Sequence, residues 1–213
     1  MTRILLMLLF ITLAGCESTY YNAMEQFGVH KREILIDRIE DAQTAQEDGQ
    51  EQFKNALEQF QAVVNFDGGD LEAIYNKLNS EYEDSVDAAD TIRDRIGAVE
   101  SVAEALFSEW ETELNEYSSA SLKRDSQRQL EQTRKRFSRL MSSMRNAERT
   151  IDPVLASLKD NVLYLKHNLN ARAIASLKGE LSNVNEDVNN LIQAMQRAIN
   201  ESNAFIDQMK NDR

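Results

Sequence analysis

Turn-makers and cross-linkers are scarce in this chain: 213 residues contain one cysteine, one proline and seven glycines. A single cysteine rules out an intrachain disulfide, even in an oxidising compartment. So few prolines and glycines leave little material for the many turns of a sandwich or barrel, and long helices with few connections are the natural reading. Positive charge is also short, with 24 Lys and Arg against 36 Asp and Glu. That balance is a poor match for nucleic acid, whose binding rests on cationic contacts to phosphate, and no nucleic-acid partner is expected. Long hydrophobic runs are missing as well. The one sustained run, Ile4 to Leu13, is too short for a permanent span, which needs about 20 apolar residues.

That short run is nevertheless informative, because Arg3 precedes it and Leu13-Ala14-Gly15-Cys16 closes it. A positive start, an apolar core and small residues before a processing point mark an export signal, and the Leu-Ala-Gly-Cys box is that of a bacterial lipoprotein. Residues 1–15 are expected to be removed, leaving Cys16 as a lipidated N-terminus, 16–21 as anchor and linker, and 22–213 as the helical domain. The mature chain then carries a formal charge of −13, since only Arg3 is lost among the charged residues. Glu17 follows the lipid site where an Asp would signal inner-membrane retention in enteric bacteria. Attachment to the outer membrane, facing the periplasm, is the expected location.

Heptad columns organise the rest. From Leu71 to Tyr117, one column reads Leu71, Leu78, Ser85, Ile92, Val99, Leu106, Glu113, and its neighbour Tyr75, Tyr82, Ala89, Ile96, Ala103, Trp110, Tyr117. Such paired columns form the apolar seam of a coiled-coil-like helix, which assigns Tyr75, Tyr82 and Trp110 to the core. Earlier, Leu35, Ala42, Gly49, Ala56 and Val63 run beside Ile39, Gln46, Phe53 and Phe60, with small residues that permit close helix approach. Leu177, Val184, Leu191, Ala198 and Phe205 run beside Ile174, Leu181, Val188, Met195, Ser202 and Met209. A further column, Leu130, Phe137, Met144, Ile151, Leu158, Leu165, keeps its phase across Pro153. Asp152 as N-cap and Pro153 at the first helical position would make a good helix start, but the retained phase favours one kinked helix.

Turn chemistry falls at Phe66-Asp67-Gly68-Gly69-Asp70, at Ser118-Ser119-Ala120-Ser121 and at Asn168-Leu169-Asn170. Four helices follow, near 22–65, 71–117, 121–167 and 172–210. The expected fold is all-α: an elongated antiparallel four-helix bundle with coiled-coil seams, each helix spanning roughly 60–70 Å. A hairpin that completes its core only as a homodimer is the rival arrangement. The second helix is acidic, with thirteen Asp and Glu between Glu72 and Glu116, and the third is basic from Lys123 to Arg149. Two readings fit the basic run: an intramolecular partner for the acidic helix, or a surface for an anionic lipid headgroup, lipopolysaccharide or cell-wall polymer. Arg134, Lys135 and Arg136 are its densest stretch and the candidate interaction residues.

No catalytic constellation emerges. The Glu-x-x-His pairs of di-iron bundles are missing, since Phe27 precedes His30 by three residues and Tyr164 precedes His167. One lipidated cysteine and two distant histidines provide no zinc-ligand spacing, so no metal, cofactor or catalytic residue is assigned. His30 fits a solvated residue near the start of the first helix, and His167 a helix C-terminus, where a cation favours the dipole. Tyr20, Tyr21, Met24 and Phe27 fit either a membrane-proximal amphipathic segment or a plug against one end of the bundle.

Two stretches, Tyr20-Tyr21-Asn22-Ala23-Met24-Glu25-Gln26-Phe27-Gly28-Val29-His30-Lys31-Arg32 and Leu163-Tyr164-Leu165-Lys166-His167-Asn168-Leu169-Asn170-Ala171-Arg172-Ala173-Ile174, resemble the signature segments of a bacterial family of small helical lipoproteins of unknown function. The resemblance covers essentially the whole mature chain. It implies a Gram-negative envelope protein and carries no activity with it. The functional expectation is therefore an outer-membrane-anchored scaffolding or partner-binding module without catalysis, its partner an envelope protein or the cell wall. The alternative is a periplasmic ligand-binding or chaperone-like module using an apolar groove between helices.

Overall fold

A computed structural model describes residues 30–211, and within them every regular element is a helix. In chain order these are α1 (Lys31–Val64), α2 (Leu71–Glu113), α3 (Ala120–Arg149), α4 (Ile151–His167) and α5 (Ala171–Asn211). The proposed signal peptide, Cys16 and the aromatic segment 20–27 lie outside the described residues.

Three of the five helix starts carry a side-chain cap. Asp70 accepts the Ala73 backbone N–H at 3.1 Å, Ser119 accepts that of Leu122 at 3.5 Å, and Asn170 accepts those of Arg172 and Ala173 at 3.0 and 3.1 Å. These contacts satisfy amides that the first helical turn leaves without partners. His30 holds the N-cap position of α1 with extended backbone and no capping bond from its imidazole. Between α1 and α2 the chain reverses through Gly68 and Gly69, whose φ angles are +143° and +116°. Only glycine adopts such angles without steric cost.

The third and fourth elements form one rod with a single interruption, so four helical rods result. The break falls at Thr150, three residues before Pro153. Thr150 stays in the right-handed helical region, its N–H reaching the Ala147 carbonyl at 3.1 Å and its hydroxyl donating to the same carbonyl at 2.7 Å. Proline offers no N–H to the carbonyl four residues earlier, here Arg149, and its ring crowds that group, so the preceding turn tightens. The buried column nonetheless runs through Met144, Ile151, Leu158 and Leu165. Asp152 and Pro153 thus occupy the first turn of α4, whose N-cap position is held by Thr150 rather than Asp152.

Packing follows an up-down-up-down order. α1 lies against α2 and α5, while α3 and α4 complete the other side against the same two helices. Lys31 pairs with Glu109 at 3.0 Å and Gln52 with Glu81 at 2.9 Å, so the start of α1 meets the end of α2. At 1.5 Å per residue the 43-residue α2 spans about 65 Å. Phe53, Phe60, Leu35, Ile39, Leu78, Ile96, Leu140 and Met144 are fully buried within the single chain, each contributing about 1.5–3 kcal/mol of transfer free energy. The core thus closes without a second copy, unlike that of the shared-core dimer. At Gly49, α1 and α2 come close: a β-carbon there would stand 2.7 Å from Ile92 Cδ1.

Tyr75, Tyr82 and Trp110 depart from the core assignment. They are only half-buried, packed at the rim of the core, and Trp110 Nε1–H donates to Ser126 Oγ at 2.8 Å. Phe107, outside both columns, takes the interior place and meets Phe137 edge-on at 5.5 Å, which in turn meets Phe205 at 5.9 Å.

Candidate functional site

Antiparallel packing defines two poles. The proximal pole gathers the start of α1, the end of α2, the start of α3 and the end of α5, with Arg32 donating to the Met209 carbonyl and Lys210 pairing with Glu40 at 3.1 Å. The distal pole gathers the α1–α2 and α4–α5 turns, which face each other across a cleft. His30 opens the first helix at the proximal pole and His167 closes α4 at the distal one, so a helix length separates them and they share no site. Among the described residues no group of three or more His, Cys, Asp or Glu is arranged to hold a metal ion.

The basic third helix is divided by its own geometry. Arg134 pairs with Glu111 and lies over the Phe107 ring, 5.2 Å from its centroid. Arg145 bridges Glu100 and Glu148, and its guanidinium pKa is raised by hydrogen bonds first to Glu148 and then to Glu100. Arg134 in turn holds the Glu111 carboxyl below its usual value of 4.5, chiefly through their hydrogen bond. Across the junction of α3 and α4, Arg93 of α2 reaches Asp152 at 2.6 Å. The flank facing α2 is therefore an ion-paired seam, as opposite charges beside a coiled-coil seam provide. Of the three candidate interaction residues, Arg134 is engaged there, Arg136 donates to Thr133 Oγ1 at 3.1 Å, and Lys135 is exposed. The structure does not gather them on one face, because consecutive helical residues point about 100° apart.

Concavities lie at both poles and along the flank of the described helices. At the proximal pole a pocket of about 180 Å³ is lined by Leu106, Trp110 and Met209, with Arg32, Glu109 and Glu113 at its edge. At the distal pole a cleft of about 570 Å³ lies between Phe66, Gly68 and Leu71 on one turn and Leu169, Asn170 and Ile174 on the other. A third, also about 570 Å³, runs between α3 and α5 and is lined by polar and charged residues, whose aliphatic stems form part of its surface. The exposed large hydrophobic residues sort by pole: Tyr117 and Leu122 near the proximal end, Leu163, Tyr164 and Leu169 near the distal end. Leu169 belongs both to that exposed set and to the cleft wall. Leu163, Tyr164 and Leu169 also fall within one of the two signature segments of the sequence.

The model of the family described as "Protein of unknown function (DUF2959)" matches residues 20–209. The chain belongs to that family. The match begins after Cys16 and covers all of the described bundle except its last two residues, Lys210 and Asn211. No curated protein and no solved structure matches the chain significantly. Both turns of the distal pole lie within the matched residues.

Proposed function

We propose that this protein is a lipid-anchored envelope module that binds or scaffolds partners in the periplasm without catalysis, held at the outer membrane through Cys16. The observation that carries this reading is the sorting of exposed apolar side chains to the two poles of a rod about 65 Å long, with Leu163, Tyr164 and Leu169 at the end remote from the chain's entry. Thirteen residues lie between Cys16 and His30, a reach of at most about 50 Å, so a lipid at Cys16 keeps the proximal pole within that distance of the bilayer. No described helix is long and apolar enough to cross a membrane itself. A tether also raises the effective concentration of the distal surface for any neighbour it can reach.

The second reading, a ligand-binding or chaperone-like module, draws support from the distal cleft. The apolar seam itself is closed by fully buried side chains, so an apolar ligand or chain segment would enter between Phe66, Leu71, Leu169 and Ile174. A complementation panel at matched expression separates binding from chemistry. Cys16→Ser should abolish fatty-acid labelling and weaken complementation, and Lys135→Glu should weaken it without touching the Arg134 ion pair. His30→Gln and His167→Gln should complement fully. Loss of function in either histidine variant at normal abundance would replace the scaffold reading with a search for chemistry around that imidazole.

A further inference from the structure

We propose that the polar groove between α3 and α5 binds a phosphorylated saccharide. Its α3 wall presents Arg139, Ser143, Asn146 and Arg149, and its α5 wall Arg197, Asn200 and Glu201. On α3 these positions recur at helical spacing, so their side chains align in one stripe, and ten residues from Arg139 to Arg149 extend it by about 15 Å. The three guanidiniums are exposed. None of them forms an ion pair among the described residues, and the only hydrogen bond made is from Arg149 to the Asn146 side-chain oxygen at 3.5 Å. They differ in this from Arg134 and Arg145 on the other flank of the same helix, which acidic residues of α2 engage.

The composition of the groove selects its occupant. No apolar side chain lines it, whereas a docked protein helix needs buried aromatic or aliphatic anchors. Guanidinium forks match phosphate oxygens bidentately, and the hydroxyls and amides between them supply donors and acceptors suited to sugar hydroxyls. Glu201 stands one helical turn from Arg197 on the same wall and, with no ion pair between them, offsets only one of the three positive charges. A phosphate monoester carries up to two negative charges near neutral pH and answers the surplus of two positive charges. In a chain with a net charge of −12, this surplus is local. It sits on the flank of the rod, away from the distal cleft, and does not depend on what that cleft binds.

Full-length protein in neutral detergent, titrated with a glucosamine disaccharide bearing two phosphates, tests the proposal by calorimetry. Saturable binding is expected, with at least tenfold weaker affinity in Arg139→Gln and in Arg197→Gln, and tighter binding in Glu201→Gln. Arg95→Gln on α2 should bind as wild type, and unchanged helical circular dichroism in each variant excludes unfolding. The unphosphorylated disaccharide should not bind, and inorganic phosphate should compete only at much higher concentration. Equal binding of the unphosphorylated sugar, equal competition by inorganic phosphate, preferential competition by polyglutamate, or wild-type affinity in both arginine variants would each overturn the assignment.

Discussion

Gln46 is the residue whose replacement should teach most about the core. Its side chain is fully buried in the α1 seam, yet neither the amide oxygen nor the amide nitrogen has a hydrogen-bond partner among the described residues. One turn later, Gly49 lies against Ile92 and Met195, so the amide sits where α1, α2 and α5 converge. Burying an unsatisfied polar group costs about 1–3 kcal/mol, and leucine has similar volume without that cost. Gln46→Leu should therefore stabilise the bundle by about 1–3 kcal/mol. For a domain of this size each kcal/mol moves the melting temperature by about 2–4 °C, so a rise of roughly 5 °C is expected. Gln46→Glu should do the opposite, because an unpaired buried carboxylate is costlier than an amide. Thermal and urea unfolding followed by circular dichroism measure both. A loss of stability in Gln46→Leu would refute the reasoning, since it would mean that the amide is hydrogen-bonded and contributes to the fold. If the gain appears, a buried polar residue in an apolar seam is best understood as fixing helix register at a cost in stability.

Two further outcomes follow from local geometry. The Glu111 carboxyl should titrate below 4.5 by carboxyl NMR and move up in Arg134→Gln, because the hydrogen bond from Arg134 favours its charged form. The sign is that of a depressed carboxylate: its stabilising contribution is present above the ordinary pKa and is lost as pH falls through the lowered one. In the turn between α1 and α2, Gly69→Ala should cost about 1 kcal/mol purely through its φ of +116°, as nothing stands within 4 Å of an added β-carbon; an unchanged urea midpoint would contradict this.

The fold was legible because the repeat is long and the turns are few. The columns through Leu78, Ser85, Ile92 and Val99, and through Met144, Ile151, Leu158 and Leu165, are buried as their spacing implies. The spacing misleads toward the ends of α2. A helix with 3.6 residues per turn drifts about 20° per heptad from a strict seven-residue column, so Leu106 and Trp110 slide to the rim while Val102 and Phe107 turn inward. The buried column was legible as retained phase across Pro153, but the interruption at Thr150 depends on which carbonyl the missing N–H leaves free.

The sites were far less legible. A run such as Arg134-Lys135-Arg136 draws the eye in a linear string, yet a helix scatters consecutive residues around its axis. The groove instead joins Arg139 and Arg149 to Arg197, which only the packing of α3 on α5 brings together. The distal cleft similarly joins two turns separated by about a hundred residues of chain, Phe66 to Leu71 and Leu169 to Ile174.

The most direct test of the account is photo-crosslinking in intact cells, with a photoreactive amino acid placed in turn at Leu163, at Leu169 and at Lys54, an exposed position on the flank of α1. The account predicts a discrete crosslinked partner from the two tip positions, lost in Cys16→Ser, and none from Lys54. Equal labelling from the flank and the tip, or tip crosslinks that persist at full strength without the lipid anchor, would contradict a tethered rod that binds through its distal pole.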